Sequence, residues 1–187
     1  VFKVVTGSSA LEEKAIDLNS TFTCNGVMTV ADWDIHCWTR GAHGTQDFTT
    51  AMTNSCNPAF IQIGQRLGIE KFCQYFRAYG FTEPTGIDLP GESAGLYVKE
   101  EDMGIVELAS SSFGQSNTVT PIQMITAYAA VVNGGYLLQP HVVSKIVDNN
   151  GNIIETKETT VRRQVISEET SAMMRQVLES VVNNNGG

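Results

Sequence analysis

The sequence has little proline, little cysteine and no long apolar run. Its 187 residues include 5 Pro and 4 Cys, while 42% are apolar and 17% are charged. So few cysteines in a chain of this length exclude a small scaffold held together by disulfide bonds, and the apolar fraction excludes disordered and collagen-like chains. Because no stretch of about 18 apolar residues is present, we predict no membrane-spanning helix within these residues.

Positive charge is also scarce. The chain has 12 Lys and Arg against 20 Asp and Glu, for a formal net charge of -8, and its basic residues form no cluster. Binding to a phosphate backbone or to an anionic membrane surface needs a basic patch. We therefore expect no nucleic acid partner, and the composition favours a partner that is small or not polyanionic.

Apolar spacing and capping residues predict several helices. Asn57 suits an N-cap, and Pro58 suits the first helical position, where its missing N–H has no intrahelical partner. Thr120 and Gln123 have the spacing of a capping box, and Ser167 is placed to cap the last helix. The expected helices are a buried one that starts within 1–18, followed by 47–52, 58–67, 69–79, 121–133 and 167–184.

Two regions carry strand signals. Thr21–Cys24 and Trp33–Trp38 are rich in β-branched and aromatic residues and flank Asn25-Gly26, which predicts a hairpin-like excursion. A second hairpin is predicted from residues 142–148 and 153–155 around the turn 149–152. The turn-rich stretch 82–98 is expected to be irregular surface. With no repeat and no linker, residues 1–187 are expected to form one domain segment.

Taken alone, Ser55-Cys56-Asn57 fits a helix cap that needs polar residues, which is the favoured interpretation. The alternative is a proton-transferring hydroxyl and a substrate-orienting amide that both point into one cleft. The order of further blocks along the chain changes that interpretation. These blocks are Phe2-Lys3, Ser55-Cys56-Asn57-Pro58-Ala59-Phe60, Thr85-Gly86-Ile87-Asp88-Leu89-Pro90-Gly91-Glu92, Phe113-Gly114-Gln115 with Val119-Thr120-Pro121-Ile122-Gln123, and Ala127 to Gly135. Over essentially its whole length, the sequence resembles the transpeptidase domain of class B penicillin-binding proteins, the penicilloyl-serine transferases of bacterial cell walls.

The resemblance implies three catalytic motifs, of the forms Ser-x-x-Lys, Ser-x-Asn and Lys-Thr/Ser-Gly. Phe2-Lys3 resembles the end of the first motif, which would place the nucleophilic serine one residue before Val1. Ser55 and Asn57 match the second. The third is expected after Gly187, so we expect the sequence to be a segment of a longer polypeptide, with a degenerate, non-catalytic relative as the alternative.

The fold implied by the resemblance is an α+β, β-lactamase/transpeptidase-like domain. In that fold a central antiparallel sheet is flanked by helices, and the active-site cleft lies between the sheet edge and an all-helical lobe. The residues here would supply mostly the helical part and a minority of the sheet.

The implied function is a peptidoglycan D,D-transpeptidase that β-lactams acylate. Lys3 would be the base, Ser55 would relay a proton to the leaving group, and Asn57 would hold the substrate amide. The alternative for Lys3 is an ordinary exposed helix lysine.

The implied partners are peptidoglycan stem peptides, β-lactam antibiotics and other cell-wall synthesis proteins. The implied location is the outer face of the bacterial cytoplasmic membrane, with an anchor outside this sequence. A non-catalytic β-lactam sensor on the same scaffold is the alternative function.

A second set of residues has the spacing of a zinc site. Cys24, Cys37 and His43 supply two thiolates and an imidazole within a short stretch, which suits tetrahedral Zn²⁺. Asp34 or His36 could complete the set, and the i, i+3 relation of Asp34 to Cys37 favours Asp34. Four protein ligands would make the zinc structural. A Cys24–Cys37 disulfide and buried free thiols are the alternatives.

The other two cysteines are expected to have no ligand role. Cys73 lies at the apolar spacing of its helix, which predicts a core position. Cys56 is interpreted as the variable middle residue of the Ser-x-Asn motif.

Overall fold

The structure, a computed structural model, describes residues 1–183. These residues contain seven α-helices and eight short strands. The helices are α1 (Lys3–Glu12), α2 (Phe48–Thr53), α3 (Asn57–Leu67), α4 (Ile69–Ala78), α5 (Ile105–Ser112), α6 (Pro121–Val132) and α7 (Glu168–Asn183), with a 3₁₀ turn at Glu100–Asp102. The strands are β1 (Thr21–Cys24), β2 (Val27–Val30), β3 (Trp33–His36), β4 (Gly44–Asp47), β5 (Tyr136–Leu138), β6 (Lys145–Val147), β7 (Ile153–Thr156) and β8 (Val161–Gln164).

Helix α1 is almost entirely buried. Every residue from Lys3 to Leu11 is buried, and the helix contacts α3, α4, α6 and α7. Small side chains permit this close packing, since a Cβ atom at Gly7 would lie 2.8 Å from the Phe48 ring. The Ser8 hydroxyl donates to the Val5 carbonyl oxygen at 3.0 Å, which satisfies a buried polar group without water. The buried helix predicted at the start of the chain is confirmed.

Local capping explains where α6 and α7 begin. Thr120 Oγ1 accepts from the Gln123 N–H at 3.2 Å, and Gln123 Oε1 accepts from the Thr120 N–H at 2.9 Å. The Ser167 Oγ atom accepts from the Thr170 N–H at 3.1 Å. The predicted capping box and the predicted cap of the last helix are both confirmed, because each depends only on residues three apart.

Two helical features differ from the prediction. Helix α5 is not among the predicted helices. Helix α3 begins at Asn57, so Cys56 and not Asn57 occupies the N-cap position. Cys56 makes no side-chain cap hydrogen bond, which leaves its thiol free for other contacts.

The strands pair in four separate antiparallel ladders within residues 1–183. The pairs are β1 with β4, β2 with β3, β5 with β8 and β6 with β7. The hairpin predicted around residues 149–152 is confirmed as β6 and β7. Strands β5 and β8 are not among the predicted elements, because they are short and their pairing joins residues far apart in the sequence.

We refer to residues 21–47, from the start of β1 to the end of β4, as the excursion. It is built from two nested antiparallel ladders. Cys24 at the end of β1 lies opposite Gly44 of β4, whereas Val30 of β2 lies opposite Trp33 of β3. The predicted strands therefore exist, but each pairs with a strand that the sequence pattern did not indicate. The buried Val30 packs with Ile61 of α3 and Ala109 of α5, so the inner hairpin rests on the helices.

The combination of helices and antiparallel strands confirms the expected α+β class. Most of the main apolar core comes from the helices, with additions such as Phe22 of β1 and Leu137 of β5. Among residues 1–183, no helix combines the length and the apolarity needed to cross a bilayer.

Candidate active site

The expected catalytic residues lie on two neighbouring parts of the fold. Lys3 is the first residue of α1 and is buried. Ser55 and Asn57 lie where α2 connects to α3. Ser55 has a φ angle of 47°, in the left-handed region that few non-glycine residues adopt. Because α1 packs against α3, this connection lies beside the start of α1.

Three polar groups meet at this point. The Lys3 Nζ atom donates to Ser55 Oγ at 3.2 Å and to Asn57 Oδ1 at 2.9 Å. The Asn57 Nδ2 atom donates to the His36 carbonyl oxygen at 3.4 Å. An amine and a hydroxyl in hydrogen-bond contact can pass a proton, and the neighbouring amide can orient a substrate. The structure thus brings together the three residues to which the resemblance assigns catalytic roles.

The Lys3 amine lies in surroundings that lower the pKa of its ammonium form. Desolvation by burial lowers the pKa of the Lys3 ammonium, and the nearby Cys56 and Cys37 thiols offset this only partly. The Nζ atom lies 5.8 Å from the centre of the Phe60 ring and 5.8 Å from that of the Phe113 ring. A lysine with a lowered pKa has a larger neutral fraction near neutral pH, and the neutral amine is the form that accepts a proton. Lys3 is therefore not an ordinary exposed helix lysine.

A cavity of about 410 Å³ borders Lys3 and Ser55. Its wall is otherwise largely apolar and comprises Val1, Val4, Met52, Thr53, Tyr128, Leu178 and Val181. Desolvation raises the pKa of the Tyr128 phenol, so this side chain stays neutral. The amine and the hydroxyl consequently face a space with a largely apolar wall.

A cluster of thiols and an imidazole lies next to the Ser55 loop. The ligand atoms of Cys24, Cys37, His43 and Cys56 all lie within 4.8 Å of one another. Cys24 ends β1, Cys37 follows β3, His43 precedes β4, and Cys56 directly precedes α3. The three thiols are buried and the imidazole is half-buried. We refer to these four residues as the cysteine cluster.

The donor set of the cysteine cluster fits zinc. Three thiolates and one imidazole form a common structural zinc set, and a tetrahedral site of this kind separates its ligand atoms by about 3.8 Å. The observed spacing requires only a small contraction. Cys37 Sγ lies 3.4 Å from His43 Nδ1. Burial raises the pKa of Cys56, whereas hydrogen bonds from the backbone of His43 and Gly26 outweigh burial at Cys24 and lower its pKa to about 7.

The fourth member of this cluster differs from the expected one. Asp34 lies within β3 and is exposed, and its carboxylate accepts from Thr29 Oγ1 of β2 at 2.6 Å. Neither Asp34 nor His36 is a member of the cluster. Cys56 takes the fourth position. All four cysteines of the chain are free thiols, so the structure does not contain the alternative Cys24–Cys37 disulfide.

Sequence reasoning missed Cys56 because its neighbours belong to a catalytic motif. The available signal was the cysteine spacing, since three of the chain's cysteines fall between residues 24 and 56. Cys73 behaves as predicted: it is buried, and its thiol contacts Met103 Sδ at 3.6 Å.

Comparisons with known proteins show the family and the fold of the chain. Residues 1–187 match the family model for the penicillin binding protein transpeptidase domain. Stage V sporulation protein D of Bacillus subtilis is 42% identical over 183 residues, which are 97% of this chain and 28% of that protein. The D,D-transpeptidase domain of a peptidoglycan glycosyltransferase from Eggerthella lenta has a TM-score of 0.87 at 26% identity, over 99% of this chain and 48% of that one. Penicillin binding protein 3 of Mycobacterium tuberculosis, complexed with aztreonam, has a TM-score of 0.85 at 26% identity, over 97% of this chain and 40% of that one.

The described residues thus place a buried lysine in contact with a Ser-x-Asn loop on this fold. The chain belongs to the penicillin-binding protein transpeptidase family, whose model it matches over its full length. The expected transpeptidase-like fold is confirmed by the solved structures. The chain spans 28% of the Bacillus subtilis protein and less than half of either solved chain.

Proposed function

We propose that this chain is part of a peptidoglycan D,D-transpeptidase that forms an acyl-enzyme and is inhibited by β-lactams. The observation that carries the proposal is the contact of the buried Lys3 amine with Ser55 Oγ and Asn57 Oδ1. The names of the similar proteins, which include a D,D-transpeptidase domain and a penicillin binding protein complexed with aztreonam, support it.

We infer that the nucleophile is a serine immediately before Val1. Phe2 has helical backbone angles, and a residue three positions before Lys3 lies on the same face of a helix. The serine oxygen attacks the carbonyl carbon between the last two D-alanines of a stem peptide. The neutral Lys3 amine takes the hydroxyl proton. The C–N bond then breaks, and the released D-alanine amine receives a proton through Ser55.

The second half of the reaction transfers the acyl group. An amine from a neighbouring stem peptide attacks the ester carbonyl, its proton passes to the Ser55 and Lys3 pair, and the serine oxygen leaves with a proton. Asn57 holds the substrate amide through its own amide group. A β-lactam carbonyl enters the same first step, but its leaving nitrogen stays attached to the acyl group.

The location and partners follow from the proposed reaction. Stem peptides lie outside the cytoplasmic membrane, so we place this domain at the bacterial cell envelope, on the outer face of the cytoplasmic membrane. Other cell-wall synthesis proteins are the expected protein partners. The name of the similar Eggerthella lenta protein, a peptidoglycan glycosyltransferase, supports this placement.

Two assays on the full-length protein test the function. Labelling with a fluorescent penicillin reports acylation, and turnover of a stem-peptide thioester reports acyl transfer. We expect Lys3→Met to reduce the labelling rate by at least about 100-fold, the usual contribution of a general base. Lys145→Met, which removes an exposed lysine on β6, is the control and should label normally. Labelling without thioester turnover would favour the sensor alternative, and no labelling of the unmodified protein would refute acylation.

We further propose that the cysteine cluster binds one structural Zn²⁺ through Cys24, Cys37, His43 and Cys56. Bound zinc would join β1, the loop between β3 and β4, and the start of α3, which carries the catalytic asparagine. Four protein ligands leave no open position, so the metal would stabilise the loop and take no part in the reaction. The thiol-rich donor set and its close spacing support this proposal.

Metal analysis separates this ligand set from the one expected from the sequence. We expect about one zinc per chain in the purified protein, retained in Asp34→Asn and lost in Cys56→Ser together with several degrees of thermal stability. Asp34→Asn is the matched control because it alters the expected ligand and leaves the cluster intact. Zinc loss in Asp34→Asn, or a metal-free protein with a disulfide between cluster cysteines, would contradict the proposal.

A further inference from the structure

Residue Asn54, which directly precedes Ser55, is held by two hydrogen bonds, one to its backbone carbonyl and one from its side-chain amide. The Trp38 indole N–H donates to the Asn54 carbonyl oxygen at 2.7 Å. The Asn54 side-chain Nδ2 donates to Gln46 Oε1 at 2.9 Å. These two contacts come from different parts of the excursion, the loop after β3 and strand β4. Asn54 is therefore fixed from two directions at the end of α2.

Burial does not explain the position of Trp38. Its side chain is 66% exposed, so its contribution to the apolar core is small. Its well-defined contacts are the hydrogen bond to Asn54 and a tilted ring contact with His43, with the ring centres 5.9 Å apart. An exposed indole held in this way supplies a hydrogen bond of fixed direction.

The buried side chain of Gln46 is the second indication that this region is arranged to hold Asn54. Its side chain is 5% exposed, and its Nε2 atom is the buried side-chain polar atom without a hydrogen-bond partner among residues 1–183. Leaving a buried donor unpaired is unfavourable by about 1–3 kcal/mol. An apolar residue at this position would avoid that penalty. The side-chain hydrogen bond that Gln46 does make is the one to Asn54.

The conformation of Ser55 shows what these contacts stabilise. Its φ angle of 47° is strained for a residue with a side chain. Such a conformation persists only when the surrounding structure determines it. Rotation of the peptide between Asn54 and Ser55 would move Ser55 Oγ away from Lys3 Nζ, with which it is in contact at 3.2 Å.

We propose that Trp38 and Gln46 are positioning residues for acyl transfer, which hold Asn54 and thereby keep Ser55 Oγ within reach of Lys3 Nζ. The proposal rests on the proposed function, since it assigns these residues to the same reaction. It concerns the rate of the chemical step and not the binding of the acylating compound, because neither side chain borders the cavity beside Lys3.

The experiment measures acylation of the full-length protein by benzylpenicillin in a stopped-flow instrument. It separates the acylation rate constant from the dissociation constant of the preceding complex. We expect Trp38→Phe and Gln46→Met each to lower the rate constant about fivefold, as expected for the loss of one hydrogen bond, with the dissociation constant unchanged. Trp33→Phe is the matched control, because Trp33 is equally exposed at 66% and lies on the same excursion.

Two further variants distinguish positioning from a general loss of stability. Gln46→Glu keeps the acceptor oxygen and should retain the rate constant. The double variant Trp38→Phe/Gln46→Met should lose less than the product of the two single losses, because both act on Asn54. A Trp38→Phe rate equal to that of Trp33→Phe, or fully multiplicative losses, would overturn the proposal. Failure of the unmodified protein to be acylated would instead refute the proposed function.

Discussion

Substituting Gly64 by alanine tests the close contact between α3 and α5. A Cβ atom at this position would overlap Ser112 Oγ and would lie 2.7 Å from Ser112 Cβ. The hydroxyl can rotate away, but the Ser112 Cβ atom is attached to the backbone and cannot. The two helices must therefore move apart, and α3 begins at Asn57, which contacts Lys3.

The expected destabilisation combines two opposing effects. Overpacking at a close contact costs about 1–3 kcal/mol, and the clash with a backbone-attached atom puts Gly64 at the upper end. Alanine in place of glycine stabilises a helix interior by about 1 kcal/mol. The net loss is about 2 kcal/mol, which lowers the melting temperature of a domain of this size by about 6 °C.

Thermal denaturation of the full-length protein measures this loss, with Gly41→Ala as the matched control. A Cβ atom at Gly41 would have no neighbouring atom within 4 Å, so its substitution should leave the melting temperature nearly unchanged. The double variant Gly64→Ala/Ser112→Gly removes the clashing atoms and should recover much of the loss. Equal melting temperatures for Gly64→Ala and Gly41→Ala, or no recovery in the double variant, would refute the reasoning.

Three other results are expected. Because burial lowers the pKa of Lys3, the acylation rate should rise with pH and reach its plateau below the ordinary lysine pKa of about 10.4; a pH-independent rate in stopped-flow measurements would contradict this. Burial opposes the ionisation of Glu92, but hydrogen bonds from Thr85 outweigh it and lower the pKa of the carboxyl. Its contribution to stability is therefore present above the unfolded-state pKa and is lost as the pH falls through the folded-state pKa. Glu92→Gln should lower the melting temperature at neutral pH and reduce the difference between neutral and acidic pH, and an unchanged difference would argue against the assignment. Tyr79→Phe removes the buried 2.7 Å contact with Ser8 and should reduce the free energy of unfolding by about 1 kcal/mol in denaturant titration; no change would contradict the role of that bond.

The parts of the fold that the sequence predicts best are those determined by neighbouring residues. The caps at Thr120 and Ser167 depend on a partner three residues away, and both occur as predicted. Strand pairing behaves differently, because a ladder such as β1 with β4 depends on where the chain returns after an inserted hairpin. Nothing in the residues of β4, Gly-Thr-Gln-Asp, marks it as a strand partner.

In the candidate site too, features set by neighbouring residues are predicted, whereas contacts between distant parts of the chain are not. The sequence spacing of Ser55 and Asn57 placed them in one loop, and the family resemblance added Lys3. The prediction of Asp34 rather than His36 as the fourth ligand used local strand geometry alone, and the fourth residue of the observed cluster is Cys56. The thiol of Cys56 reaches Cys24 and Cys37 only through the packing of α3 against the excursion, for which the sequence offers no local pattern.

The left-handed backbone of Ser55 has a consequence for laboratory evolution of this domain. Glycine would adopt the same φ angle without the strain of about 1 kcal/mol that a side chain brings. It would also remove the hydroxyl in contact with Lys3. Under the proposed proton relay, selection for heat resistance and selection for turnover therefore favour different residues at position 55, so a screen that scores only folding would enrich variants that lack this hydroxyl.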